Sequence, residues 1–188
     1  MKILLTLFVL LFSSSVVADD ISDFQIDGIG LGDSLLDKFT EEEILKDQRD
    51  YYQGTQFLTS LFLTKDQTLE YEQISINYKR NDKKFIVHSV NGAIYYTKDK
   101  DIENCYAKRD EIIKNLSETL KVSEWKHSRF DDNEGSFDNK FFDLESGTIK
   151  ISCYDWNKET EIKLKYVDYL GVEILSKELE EMLNNYSY

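Results

Sequence analysis

Few residues of this chain are equipped to act chemically on something else. Ser34 sits in Gly32-Asp33-Ser34-Leu35, where a hydroxyl follows a flexible glycine and a carboxylate. A serine becomes a nucleophile only beside a base that takes its proton and donors that hold the developing oxyanion. The imidazole bases on offer are His88 and His127. His88 lies between Val87 and Ser89 in an alternating run, has no carboxylate close in sequence, and reads as a sheet-face residue. His127 follows Glu124-Trp125-Lys126 and reads as a surface residue. The plainer role for Asp33 and Ser34 is to cap a helix by accepting a backbone N–H. With two histidines, acid–base chemistry here would fall to carboxylates. The chain has 36 Asp+Glu, so carboxylate pairs arise by chance and none is singled out. No catalytic residue is assigned.

Metal and cofactor chemistry has equally little to work with. There is no CxxC, and both histidines lie far from both cysteines, a poor zinc set. The acidic stretch from Asp131 to Asn139 lacks the alternate-position ligands and sixth-position glycine of a calcium loop, and reads as solvated loop. No metal or cofactor is expected. The two cysteines, Cys105 and Cys153, form one disulfide if the protein works outside the cytoplasm. Such a bridge would contribute about 3–4 kcal/mol by constraining the unfolded chain. Two buried free thiols are the other reading. Asn115-Leu116-Ser117 and Asn185-Tyr186-Ser187 match a glycosylation acceptor.

The compartment is therefore the next question. Met1-Lys2 is a basic start, residues 3–12 are apolar apart from Thr6, and Ser13-Ser14-Ser15 leads into Val16-Val17-Ala18. A positive start, an apolar core and a small-residue exit predict a secretory signal peptide over 1–18. A membrane anchor would need about 20 apolar residues. Cleavage would leave 188 − 18 = 170 residues, 19–188, carrying 22 − 36 = −14 charges. The expected localisation is periplasmic or secreted, with no transmembrane segment after cleavage. The full chain's net charge of −13 argues against binding nucleic acid by phosphate neutralisation. Its 12 Tyr and 11 Phe exclude an acidic disordered chain, and the absence of Pro or Gly-Ser linkers points to a single domain.

Ile26 to Gly32 places glycines at every second position and reads as an extended approach to a helix holding Leu35, Leu36 and Phe39. Thr40-Glu41-Glu42-Glu43 is a capping box opening a second helical turn at Ile44 and Leu45. Strands are predicted over 57–64, 69–79 with a bulge, and 85–97, the last broken by the hairpin signal Asn91-Gly92 or bulged there. The clearest helix is 101–121, with Ile102, Cys105, Tyr106, Ile112, Ile113, Leu116 and Leu120 at helical spacing. Strands follow over 137–144, 148–156 and 161–167, the last extending past a break at Gly171 to Leu175. The run 131–136 is read as a long loop. Ser176 caps a closing helix. The expectation is an α+β fold. An antiparallel sheet of about six strands carries helices on one face, with a possible αβββ pseudo-repeat.

Two resemblances bear on function. Gly32-Asp33-Ser34-Leu35 resembles the opening motif of the GDSL hydrolases over those four residues. That resemblance implies Ser34 as nucleophile, a Gly and an Asn at the oxyanion, and an Asp-x-x-His base near the C-terminus. This chain departs from the pattern. Asn81-Asp82 lacks the preceding glycine, and Glu124-Trp125-Lys126-His127 carries Glu for Asp and lies mid-chain. Three successive strand runs follow the motif, where that family alternates strand and helix. The longer segment Gly30 to Ile44, with its GDSLLDxF core, is similar to one in small exported proteins of marine bacteria. That similarity implies export and carries no assigned activity. The expected function is a non-enzymatic exported domain that binds a protein or small molecule through the exposed faces of a Tyr-rich sheet. The alternatives are an ester hydrolase using Ser34 and, third, an envelope structural factor.

Overall fold

A computed structural model describes residues 21, 24–63, 70–96 and 102–186. The predicted leader, residues 1–18, lies outside them. Strands β1 (Gln25–Ile26) and β2 (Ile29–Gly30) form a small hairpin. Its turn residues Asp27 and Gly28 both have positive φ, 49° and 72°, the backbone a two-residue hairpin turn requires. The glycine-spaced run is therefore a hairpin, not an extended lead-in. A single 3-10 turn, Leu35–Asp37, replaces the predicted first helix.

The chain continues through α1 (Glu41–Lys46), β3 (Gln48–Arg49), β4 (Phe57–Leu63), β5 (Gln73–Lys79), β6 (Val87–Tyr96) and α2 (Ile102–Leu120). Then come β7 (Lys126–Asp131), β8 (Gly135–Asp143), β9 (Gly147–Trp156), α3 (Lys158–Leu164), β10 (Asp168–Ser176) and α4 (Lys177–Asn185). β3 to β10 build one antiparallel sheet in the order β3-β4-β5-β6-β10-β9-β8-β7. Two four-stranded meanders meet along β6 and β10. The order helix then four strands occurs twice, from α1 and again from α2, with α3 inserted in the second. The fold is α+β with eight strands in the main sheet, rather than about six.

Alternation assigns each strand two faces. Ile74, Ile76, Val90, Ile149, Ile151, Leu170, Val172 and Ile174 are buried on one, under α1 and α2. Ile44 of α1 and Cys105 of α2 are fully buried in that layer. Cys105 and Cys153 lie at disulfide distance, with Cα atoms 6.0 Å apart, pinning α2 to β9. Arg109, also on the inner side of α2, is 7% exposed and pairs with Asp138 of β8, which is 8% exposed. The guanidinium also lies 5.1 Å from the Tyr106 ring centre. The Thr40 capping box forms in full, and Ser176 Oγ accepts from Leu179 N at 3.3 Å to cap α4.

The expectation of helices on one face needs correction. α4 packs Leu179 against Phe57 and Leu175, which share the opposite face with Asn77, Glu173 and Tyr169 by register. It covers one end of that face and leaves the other end open. Residues 161–167 are not a strand. Asn157 Oδ1 accepts from Thr160 N at 2.9 Å and starts α3, which stops at Lys165 in the left-handed conformation. Asn91-Gly92 makes no hairpin, and β6 runs straight through it. The glycine is needed because the Tyr71 ring lies on it; a Cβ there would fall 2.5 Å from two ring carbons. The bulge lies at His88 on β6, opposite Asn77 and Tyr78, rather than early in β5. Gly171 interrupts nothing, since β10 pairs on both sides of it. The predicted loop 131–136 is a tight turn, with Asp132 Oδ1 accepting from Glu134 N and Gly135 N.

Candidate functional site

Register brings five aromatic side chains into one row across five adjacent strands on the face that α1 and α2 leave bare. Tyr95 on β6 is opposite Tyr169 on β10, Tyr169 opposite Tyr154 on β9, Tyr154 opposite Phe137 on β8, and Phe137 opposite Phe130 on β7. Neighbouring ring centres are 6.0, 4.1, 5.5 and 6.0 Å apart in that order. Tyr154 and Tyr169 stack within 6° of parallel. Trp156, two residues along β9, sits 5.2 Å from Phe137 and 4.8 Å from Tyr166 in the α3–β10 connection. Such contacts contribute about 0.5–1.5 kcal/mol each beyond area burial, so the row is a fixed platform.

The adjoining positions on the same face are small: Ala93, Gly171 and Ser152, aligned across β6, β10 and β9. Ala93 lies in a groove of about 640 Å³, within the ~300–1,000 Å³ usual for small-ligand sites. Tyr95 and Tyr169 line it, Trp156 and Tyr166 stand at one side, and Tyr51 from the β3–β4 connection stands at another. Gln73, Ser75 and Asn91 supply polar atoms, and Glu72 and Lys165 one charge of each sign.

The electrostatics keep the aromatic part neutral. Burial pushes the Tyr169 phenol well above its ordinary value, and the neighbouring Tyr154 raises it further. Burial likewise raises Tyr95, whose hydroxyl donates to Gln73 Oε1 at 3.0 Å. Farther along the face, Lys150 pairs with Glu173 at 3.5 Å, and that carboxylate holds the ammonium protonated well above its usual range. Two buried polar atoms beside Gly171 have no hydrogen-bond partner: Asn91 Oδ1 and Ser152 Oγ. The Asn91 oxygen lies 3.4 Å from where a Gly171 side chain would begin. Orphaned buried groups of this kind cost about 1–3 kcal/mol.

The residues singled out from sequence lie elsewhere and apart from one another. Ser34 caps nothing with its side chain; Oγ donates to Lys84 O at 2.7 Å, and Ser34 bridges to Ile86. Asp33 Oδ2 accepts from Gly30 N. Asp82 shapes the turn before β6, accepting from Lys84 N and Ile86 N, and these bonds lower its carboxyl's pKa. His88 does have a carboxylate nearby, Glu178 at 3.7 Å across the chain fold, and it contacts Ser176 Oγ at 3.3 Å. Burial nonetheless lowers its pKa. His127 is a surface residue of β7, as read, and its Nε2 also meets Asp138 Oδ1 at 3.1 Å. The same oxygen is held by buried Arg109, so the histidine tops an ion pair that ties α2 to β8. Among the described residues no group of His, Cys, Asp and Glu is arranged to hold a metal ion. The cysteine pair is on the helix-covered face, away from the groove.

Sequence reasoning placed Tyr95, Tyr154, Trp156 and Phe137 in strands but missed their assembly. Strand order decides which alternating runs lie side by side, and no local pattern encodes that order. The one available signal was Tyr154 and Trp156 two apart, which puts both on one face. Comparisons with protein-family models, with curated proteins and with solved structures each find no match. The fold and the site define an α+β protein with an eight-stranded antiparallel sheet and an aromatic groove on its open face.

Proposed function

We propose that this protein is an exported, non-enzymatic ligand-binding domain whose binding surface is the groove on the open face of the sheet. One observation carries the reading. Tyr95 and Tyr169, the end of a row of aromatic side chains, border a concave surface that no helix among the described residues covers, and unpartnered polar atoms lie beside it. Helix-covered faces explain themselves through the core they build. This face buries no such layer at that end, so among the described residues its aromatic content has no counterpart packing layer.

Export is supported by the leader-like residues 1–18 and by a cysteine pair at disulfide distance. Among the described residues no helix is long and apolar enough to cross a membrane. Hydroxyl-radical footprinting tests the site. The purified protein is oxidised with and without envelope extract of cells that make it. Tyr51, Trp156 and Tyr166 should become protected, while Leu63, at 72% exposed, stays reactive. Protection confined to other surfaces would refute the assignment.

A further inference from the structure

Resting on that reading of the groove, we propose that its ligand is a neutral, hydroxyl-rich saccharide. Three features point to this class. First, the walls are aromatic rings in several orientations. Tyr95 is inclined 56° to Tyr169, and Trp156 56° to Tyr166. Ring faces of this kind pack against the C–H face of a pyranose, which is flat and apolar on one side and polar at its rim. Second, the polar groups of the lining are mostly uncharged amides and hydroxyls: Gln73, Ser75, Asn91 and Tyr95. A hydroxyl both donates and accepts. It therefore satisfies an amide whichever way round the amide lies, which a quaternary ammonium does not. Third, the lining's charges balance, with Glu72 against Lys165. Lys150 and Glu173 neutralise each other nearby. A cationic or anionic ligand would meet no net opposite charge there, despite the acidic chain.

Asn91 is the residue that separates ligand recognition from structure. Its amide oxygen is buried and unpartnered, so within the fold it brings a desolvation cost and no bond. Leucine has a similar shape and no polar atoms. Asn91→Leu should thus leave the melting temperature unchanged or raised. It should also weaken saccharide binding by up to about tenfold, as expected for one lost hydrogen bond to a ligand hydroxyl that displaces the groups shielding that oxygen. A merely structural asparagine would show the reverse, a lowered melting temperature with affinity intact.

The test is calorimetric titration of the protein, as purified from the cells that make it, with short linear glucan, mannan and galactan oligosaccharides. A quaternary ammonium, an acidic oligosaccharide and a Tyr-rich peptide serve as comparison probes. Vesicles bearing a neutral glycolipid separate a lipid-linked source from a free one. Binding of a neutral oligosaccharide or glycolipid that Asn91→Leu and Trp156→Phe both weaken supports the proposal. Groove-dependent binding of only the charged or peptide probes overturns it and leaves the binding-domain reading standing. No neutral saccharide bound, together with no groove protection by envelope extract, overturns both.

Discussion

Gly92 offers the sharpest check on how the sheet is packed. An alanine Cβ at this position would sit 2.5 Å from Tyr71 Cγ and Cδ1 and 2.8 Å from Cε1. Carbon atoms pack at about 3.5–4.0 Å, so the ring must retreat by about 1 Å. Tyr71 is 9% exposed and embedded in the main core, and these are near ring atoms rather than a flexible tip. Overpacking of this kind costs about 1–3 kcal/mol. The lower chain entropy of alanine in the unfolded state returns about 0.4–1 kcal/mol, because the strand backbone is open to alanine. The net expectation for Gly92→Ala is a loss of about 1–2 kcal/mol, or roughly 2–4 °C of melting temperature per kcal/mol. Thermal and urea unfolding of four proteins measure it: wild type, Gly92→Ala, Tyr71→Ala and the double variant. Tyr71→Ala alone costs about 3–5 kcal/mol, as for other large aromatic truncations. In that background the added Gly92→Ala should cost nothing or stabilise slightly, a coupling of about 1–3 kcal/mol. Equal cost in both backgrounds, or no cost in the wild type, would refute the explanation for a glycine in mid-strand.

Other consequences follow from the covered face and from α4. Replacing Cys105 and Cys153 by serine removes a link that spans 48 residues, and the chain-entropy relation puts the loss at about 4 kcal/mol; urea unfolding with and without reductant reads it, and insensitivity to both would contradict the pairing. Asp138→Ala removes the buried partner of Arg109 and leaves it only the exposed Asp110 carboxylate, 3.2 Å from Nε, so stability should drop by up to about 3–5 kcal/mol, and a paired apolar replacement of Arg109 and Asp138 should recover most of it. His88 makes the fold pH-sensitive. Burial lowers its pKa below 6.5 in the folded protein, so the unfolded chain takes up the proton first. Stability should then fall as pH drops through 6.5 toward the lower folded value, and stay intact above it. His88→Gln should flatten that part of the stability profile measured between about pH 8 and pH 5.

What the sequence disclosed follows a physical division. Local signals held where a side chain acts on its own turn: Thr40 and Ser176 cap as read, and the stripe from Ile102 to Leu120 is the long helix. Signals failed where a tertiary partner outweighs local preference. Asn91-Gly92 looks like a turn, but Tyr71 needs the space over the glycine. Residues 161–167 alternate like a strand, but Asn157 starts a helix ahead of them. β7 has every residue exposed, so it showed no alternation to detect. The groove was legible only in part. Its tyrosines were visible as a Tyr-rich sheet, yet their alignment comes from β10 returning between β6 and β9, a non-local arrangement. The four-residue motif around Ser34 was set aside on sequence, and the cap preferred for Ser34 does not form. The Ser34 hydroxyl donates instead to the Lys84 backbone carbonyl, a partner 50 residues away that no local pattern announces.

The chain has two tryptophans, and they occupy opposite faces. Trp125 packs near Phe142 under the helices, with its indole N–H on Ser117 Oγ, whereas Trp156 lines the groove. In a Trp125→Phe protein the emission comes from the groove alone. Titrating it with oligosaccharides and envelope fractions measures occupancy where the account places it. The account predicts a saturable change in Trp156 emission that Asn91→Leu weakens. A fraction that binds the protein tightly while Trp156 emission and its Asn91→Leu counterpart stay unchanged would contradict it.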